Sequence, residues 1–174
     1  AETIRHRPVT PMQIRAYRTG EEAELRQLFH ASVHETASRH YSPQQCAAWA
    51  PASYDIAAWA ERIQSVNPFV VVVDDHLAGF ADLQGSGYID LFFVHPRWTG
   101  KGIGRSLMQH LMSEAARRGI TELTADVSVA AEKFFASNGF VVVDRQVVEL
   151  RGQSLPNARM RCMTQAAEPS RDPS

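Results

Sequence analysis

A chain of 174 residues, 44% hydrophobic and 21% charged, has the make-up of one soluble globular domain with a full core. A formal net charge of −1, from 18 basic and 19 acidic residues intermixed along the chain, excludes the broad basic field that binding to nucleic acid or an anionic membrane calls for. Cys46 and Cys162 stand outside any CxxC pair, and no apolar run has membrane-spanning or signal-peptide character, so reduced thiols and a cytoplasmic location are expected.

After an irregular lead over 1–11, MQIRAY alternates apolar and polar residues and predicts a half-buried strand over 12–17. Thr19 and Glu22 have capping-box spacing and should open a helix that buries Leu25, Leu28, Phe29 and Val33. Ser42 before Pro43 predicts the cap and first turn of a second helix, which holds Trp49 and which Pro51 stops; a third short helix is expected over 54–63. Residues 69–94 read as a meander: strand, Asp-Asp-His turn, strand, Gly-Ser-Gly turn, strand.

From Ile103 the period changes. Ile103, Leu107, Met108, Leu111, Met112 and Ala115 share one helical stripe, which Gly119 terminates after Arg117 and Arg118. ELTADVS, over 122–128, follows by a tight turn, so strand, glycine loop, helix and strand make a β-α-β crossover with parallel neighbours. A short helix over 130–137 should end at Asn138-Gly139. FVVVDRQVVEL and NARMRCM then predict a final hairpin across 151–156, with an edge available to a homodimer. One domain is expected over 12–164, with a disordered tail over 165–174.

HPRWTGKGIGRSLM puts Gly100, Gly102 and Gly104 on alternate positions. A P-loop fails because Gly102 follows Lys101, and a dinucleotide fingerprint fails because its last position falls on Arg105 or Leu107. What remains is a strand end, a proline turn and glycines whose successive N–H groups face an anion at a helix N-terminus, which suits a pyrophosphate.

Together with SVAAEKFFASNGF, this stretch resembles motif A of the GNAT N-acetyltransferase superfamily, in which [QR]-x-x-G-x-[GA] after a hydrophobic strand binds the pyrophosphate of acetyl-CoA; here it aligns with 99–104. The resemblance covers residues 12–164, and ASRHYSPQQCAAWA is similar to the substrate-side helices of a bacterial branch. It implies a single α/β domain, a central mixed β-sheet splayed between two parallel strands with helices on both faces, and acetyl-CoA held where strands 88–94 and 123–127 diverge. The cofactor set it implies is Phe92, Phe93, Val94, Thr99, Gly100, Lys101, Gly102, Ile103, Gly104, Arg105, Ser128, Lys133 and Phe135. Thr99 replaces the usual Gln or Arg, Ser128 the usual Asn, and Phe135 the tyrosine that in many members protonates the departing thiolate. A thiol with a pKa of about 8.5 leaves tolerably as the anion without that acid.

The implied reaction is direct acetyl transfer to the amine of a small molecule or peptide, and an alkylamine of pKa about 10.4 must first lose a proton. Asp90, in the apolar strand YIDLFFV, is the favoured base, with a turn cap or an arginine pair as its structural alternative. Asp126 is the second candidate, and Tyr88 stands where many members carry Glu. His30, His34 and His40 lack the HExxH spelling and accompanying cysteines, so no metal is expected. The resemblance instead places His34, His40 and Tyr41 beside the acceptor. Trp49 and Trp59 read as core or groove wall and Trp98 as a cover on the glycine loop. Neither cysteine has a base beside it by sequence, so no covalent intermediate is expected. The rival readings are a non-catalytic acyl-CoA sensor, a transferase of longer acyl chains, and a tRNA acetyltransferase, the last disfavoured by the charge.

Overall fold

The computed structural model describes residues 11–165. The expected lead over 1–11 and tail over 165–174 lie, apart from Pro11 and Gln165, outside the described residues. Chain order is β1 (Met12–Ala16), α1 (Glu22–Ala31), a π-helical turn (Ser32–Thr36), α2 (Pro43–Trp49), α3 (Ile56–Val66), β2 (Phe69–Val73), β3 (His76–Ala81), β4 (Tyr88–Ile89), β5 (Phe92–Val94), α4 (Ile103–Arg118), β6 (Glu122–Ser128), α5 (Glu132–Ser137), β7 (Val141–Leu150) and β8 (Gln153–Met163).

The strands form two four-stranded sheets, ordered β1-β2-β3-β5 and β4-β6-β8-β7. β4 and β5 are consecutive pieces of what the sequence presents as one strand. Tyr88 and Ile89 pair in parallel with Thr124 and Ala125, whereas Phe92, Phe93 and Val94 pair antiparallel with Ala81, Phe80 and Gly79. The break falls at Asp90-Leu91 because the Asp82 carboxylate intervenes there. Its Oδ1 accepts from the backbone N–H of Asp90 at 2.9 Å and of Leu91 at 2.7 Å, taking donors that a continuous ladder would use. Asp82 is 0% exposed, and burial pushes its carboxyl pKa up against the pull of those N–H groups.

Helices cover both faces because β2 and β3 bury alternate residues in opposite directions. Val71, Val73 and Ala78 pack with Ile103, Leu107 and Leu111 of α4, while Val70, Leu77 and Phe80 pack with Leu25 and Leu28 of α1 and Ile63 of α3. The stripe expected on α4 is buried except for Met112 at its half-buried margin, and Gly119 ends the helix with φ 71°.

Several local expectations are corrected. The Thr19 and Glu22 box does not form: the Glu21 residue stands at the N-cap of α1, its carboxylate engaged by the Arg15 guanidinium at 2.9 Å, and Glu22 accepts from Gly20 N–H instead. The third helix begins and ends later, since the Asp55 carboxylate accepts from Ala58 N–H and Asn67 adopts φ 45°. α5 starts at Glu132 rather than 130. The turn after β2 has two residues, Asp74 and Asp75, with His76 already in β3. The final loop is likewise only Arg151 and Gly152, both at positive φ, so Pro156 lies inside β8 opposite Val147. β7 is a sheet edge with Val141, Val143 and Val147 exposed. No helix among the described residues is long and apolar enough to cross a membrane.

Candidate active site

β5 ends where His95 N–H donates to Ala78 O, and a single turn, Pro96–Trp98, leads into the glycine loop. Gly100 and Gly102 adopt φ 74° and 80°, conformations that side chains resist, and a Cβ on either would meet nothing within 4 Å. The loop therefore presents backbone to open space, and Gly102 caps α4, whose first N–H groups and dipole face the same way. Gly104 serves close packing, since a Cβ there would lie 3.2 Å from the Phe134 ring.

The loop lines a groove of about 400 Å³ to which Thr99, Gly100, Gly102, Ile103, Gly104 and Arg105 contribute, with Phe92, Phe93 and Val94 along one side and Ser128 and Phe135 on the other. Two members of the expected set lie elsewhere. Lys101 holds its ammonium 5.0 Å from the centre of the Trp98 ring, outside the lining, and Lys133 is exposed on α5. Sequence reasoning missed Ser32 and Thr36, which the π-helical turn brings to the groove, and Phe134. β5 is an edge strand on its groove side, and β6 past Ala125 has no β4 partner, so backbone groups line both sides of the splay.

A second cavity of about 550 Å³ adjoins the groove. Trp49, Phe92, Phe93, Ser128, Ala131 and Phe135 line both, so a group lying at the end of one meets whatever enters the other. Phe135 is buried against Phe92 and Phe140, with ring centres 5.5 and 5.0 Å away.

The second cavity gathers the acids. Asp90 makes the arginine pair that was its structural alternative: its side chain is 26% exposed, and Arg62 Nη2 lies 2.9 Å from Oδ2. Both Arg62 contacts fall on Oδ2. Asp126 is more fully engaged, accepting from the Tyr88 hydroxyl at 3.1 Å, Gln146 Nε2 at 2.7 Å and Arg159 Nε at 3.2 Å. Burial first, and then the neighbouring Asp126 charge, raise the Tyr88 phenol from its ordinary 10.0 to about 12. Tyr41 also lines this cavity, but its hydroxyl is spent on structure: it donates to Pro156 O at 2.6 Å and accepts from Val129 N–H at 2.9 Å.

His34 and His40 line neither cavity, which corrects their expected place beside the acceptor. His34 stacks on His30 with ring centres 4.1 Å apart and its Nε2 meets Ala50 O at 2.8 Å; His40 is exposed. Among the described residues, no three His, Cys, Asp or Glu side chains are grouped to hold a metal ion. Asp82, Arg26 and Asn157 carry no mark in the sequence, because a lone charged or polar residue beside apolar ones reads as solvated.

Residues 37–161 match the family described as Acetyltransferase (GNAT) domain. The chain is similar to the uncharacterized N-acetyltransferase YafP of Escherichia coli K12, at 37% identity over 150 residues that cover 86% of this chain and 95% of the relative. Among solved structures, a GCN5-related N-acetyltransferase from Rhodopseudomonas palustris is 32% identical, with a TM-score of 0.84 over 91% of this chain and 99% of its own. PaiA N-acetyltransferase from Thermoplasma acidophilum, solved in complex with coenzyme A, shares the fold at 20% identity and a TM-score of 0.70, over 88% of this chain and 99% of its own.

Proposed function

Because the chain belongs to the GNAT acetyltransferase family and is an N-acetyltransferase, we propose that it moves an acetyl group directly from acetyl-CoA to the amine of a small molecule or peptide. The observation that carries this reading is the common wall of groove and cavity, which lets a thioester in one face a nitrogen in the other. The open backbone at Gly100 and Gly102 and the start of α4 suit the pyrophosphate, with Arg105 supplying charge. Edge groups of β5 suit the amides of the pantetheine arm and the thioester oxygen, on which charge develops.

In the reaction the acceptor nitrogen attacks the thioester carbon, the C–N bond forms and the C–S bond breaks. The amine proton leaves to a base, and CoA departs as thiolate. Asp90 is the proposed base: Arg62 occupies only Oδ2, and among the described residues Oδ1 has no protein partner. Tyr88 and Asp126 are assigned to orienting the acceptor, since three donors already hold the Asp126 carboxylate. Phe135 has no proton to give, so water protonates the thiolate. The exposed edge of β7 is the surface proposed for pairing with a second copy of the chain.

The reading is tested by titrating acetyl-CoA, free CoA and NAD, followed by thiol release over an amine panel. Micromolar binding of acetyl-CoA with none of NAD, and turnover on an amine, is expected; failure of acetyl-CoA to bind sinks it. Arg105→Ala should weaken acetyl-CoA binding about tenfold and flatten its salt dependence, with Lys101→Ala doing less. Asp90→Asn should lower kcat/KM about a hundredfold and level its rise with pH, and an unchanged profile would remove Asp90 as base.

A further inference from the structure

Arg26 is the anomaly of the second cavity. It sits on α1 among Leu25, Leu28 and Phe29, is only 4% exposed, and lines the cavity wall. Its Nη2 donates to Pro51 O at 2.6 Å, while Nη1 is buried with no hydrogen-bond partner. Among the described residues no carboxylate pairs with it. Three aromatic rings surround the guanidinium instead, with the Tyr54 centre 4.3 Å, the Phe29 centre 5.1 Å and the Trp59 centre 5.6 Å from its central carbon. Burial lowers its pKa, the sign of a cation held where its charge is poorly compensated. A buried guanidinium without a counter-ion is costly, and a cavity is where a ligand can supply one.

The other charged side chains of the lining are already engaged: Arg151 donates through Nη1 to Ala48 O at 2.6 Å, and the Asp55 carboxylate accepts from Ala58 N–H at 3.0 Å. Asp90 pairs with Arg62, and Asp126 with Arg159. Arg26 is thus a buried positive charge awaiting an anion, in a space also lined by three carboxylates, Asp55, Asp90 and Asp126. A dianion such as a phosphate ester would be attracted by Arg26 and Arg151 and repelled by the three carboxylates. A zwitterion satisfies both, its ammonium towards Asp90 and Asp126 and its anion on Arg26. The Asn157 amide, whose Oδ1 is likewise buried and unpartnered, lines the same cavity and offers a further hydrogen bond. The aromatic walls from Phe29, Trp49 and Trp59 suit an apolar body between the two charged ends.

We infer that the acceptor is a small amine that also carries a carboxylate, an amino acid or a close analogue, and that Arg26 takes the carboxylate. The inference rests on the acetyl-transfer reading above. Arg26 is then the residue that selects the substrate: its planar fork matches a carboxylate bidentately, and a ligand without one leaves it buried and unpaired. Tyr54, exposed and lying over the guanidinium, is the ring beside which the carboxylate would sit.

The test uses the full chain with acetyl-CoA and matched acceptors: free neutral, aromatic and acidic L-amino acids, the corresponding amino-acid amides, and spermidine as an amine without a carboxylate. Thiol release gives turnover, and tryptophan emission reports occupancy, since Trp49 and Trp59 form the wall. At least one acid should exceed its amide by about tenfold or more in kcat/KM. Arg26→Met, which keeps the apolar stem, should remove that preference through KM while leaving the Kd for acetyl-CoA unchanged; Arg26→Lys, which keeps charge but not the fork, should fall between. Amides or spermidine reacting as well as the acids overturns the inference. So does an Arg26→Met variant that depresses acids and amides alike, or a panel in which acetyl-CoA binds but no acid turns over or shifts the emission. Failure of acetyl-CoA itself to bind is the separate result that removes the acetyl-transfer reading and this inference with it.

Discussion

Gly102→Val should weaken acetyl-CoA binding by about a hundredfold or more, a loss of roughly 2.7 kcal/mol, while the protein remains folded. Two effects combine at this position. Gly102 holds φ 80° as the N-cap of α4, and a β-branched residue there is strained by about 1–2 kcal/mol. The added isopropyl group also projects into space where a Cβ meets no protein atom within 4 Å, the space proposed for the pyrophosphate. Gly102→Ala shares the strain and adds only the methyl group, so its affinity should fall between the two. Calorimetric titration measures the affinities, and a melting curve separates them from instability. A valine variant that binds as tightly as the parent would mean that the cofactor lies elsewhere.

Asp82→Ala should cost about 3 kcal/mol of stability and lower the Tm by roughly 6–12 °C, because it strands the Asp90 and Leu91 N–H groups in the interior. It should also reduce acetyl-CoA binding, since the parting of β4 from β5 depends on that carboxylate. Asp82→Asn keeps an acceptor oxygen and should cost about 1 kcal/mol near neutral pH. The pH dependence has a definite sign. The folded carboxyl titrates above its ordinary 3.8, so its contribution to stability is complete below 3.8 and is lost as pH rises through the raised folded value. The asparagine variant lacks this slope and should gain on the parent over that interval. Parallel stability curves for the two proteins would show that the carboxyl is not held above its ordinary range.

Where one physical effect dominates locally, the sequence was readable. The α4 stripe is a plain 3.6-residue period, Ser42 and Pro43 spell a cap that forms with Gln45, and the glycine loop is legible because only glycine tolerates its backbone. Features that depend on a distant partner were not readable. Nothing in YIDLFFV marks a break, because its cause is a carboxylate eight residues upstream, just past the end of β3. Arg26 in ELRQLFH has the look of a solvated helix face, and its burial follows from α3 and the 50–55 segment folding over it. Pro156 drew the final loop too wide, since proline is disfavoured inside a strand, yet its carbonyl is what Tyr41 binds.

That Tyr41 bond bears on how the protein is made. Its hydroxyl ties the start of α2 to positions 88 and 115 residues further along the chain. Ring closures of that span are entropically unfavourable until much of the remaining structure is in place. During synthesis, which runs from the N-terminus, helices α1, α2 and α3 are released long before Pro156. The aromatic wall of the cavity therefore waits, unsupported on one side, for the last hairpin to leave the ribosome. A nascent chain halted before β8 holds the glycine loop and most of the hydrophobic core but not a closed second cavity.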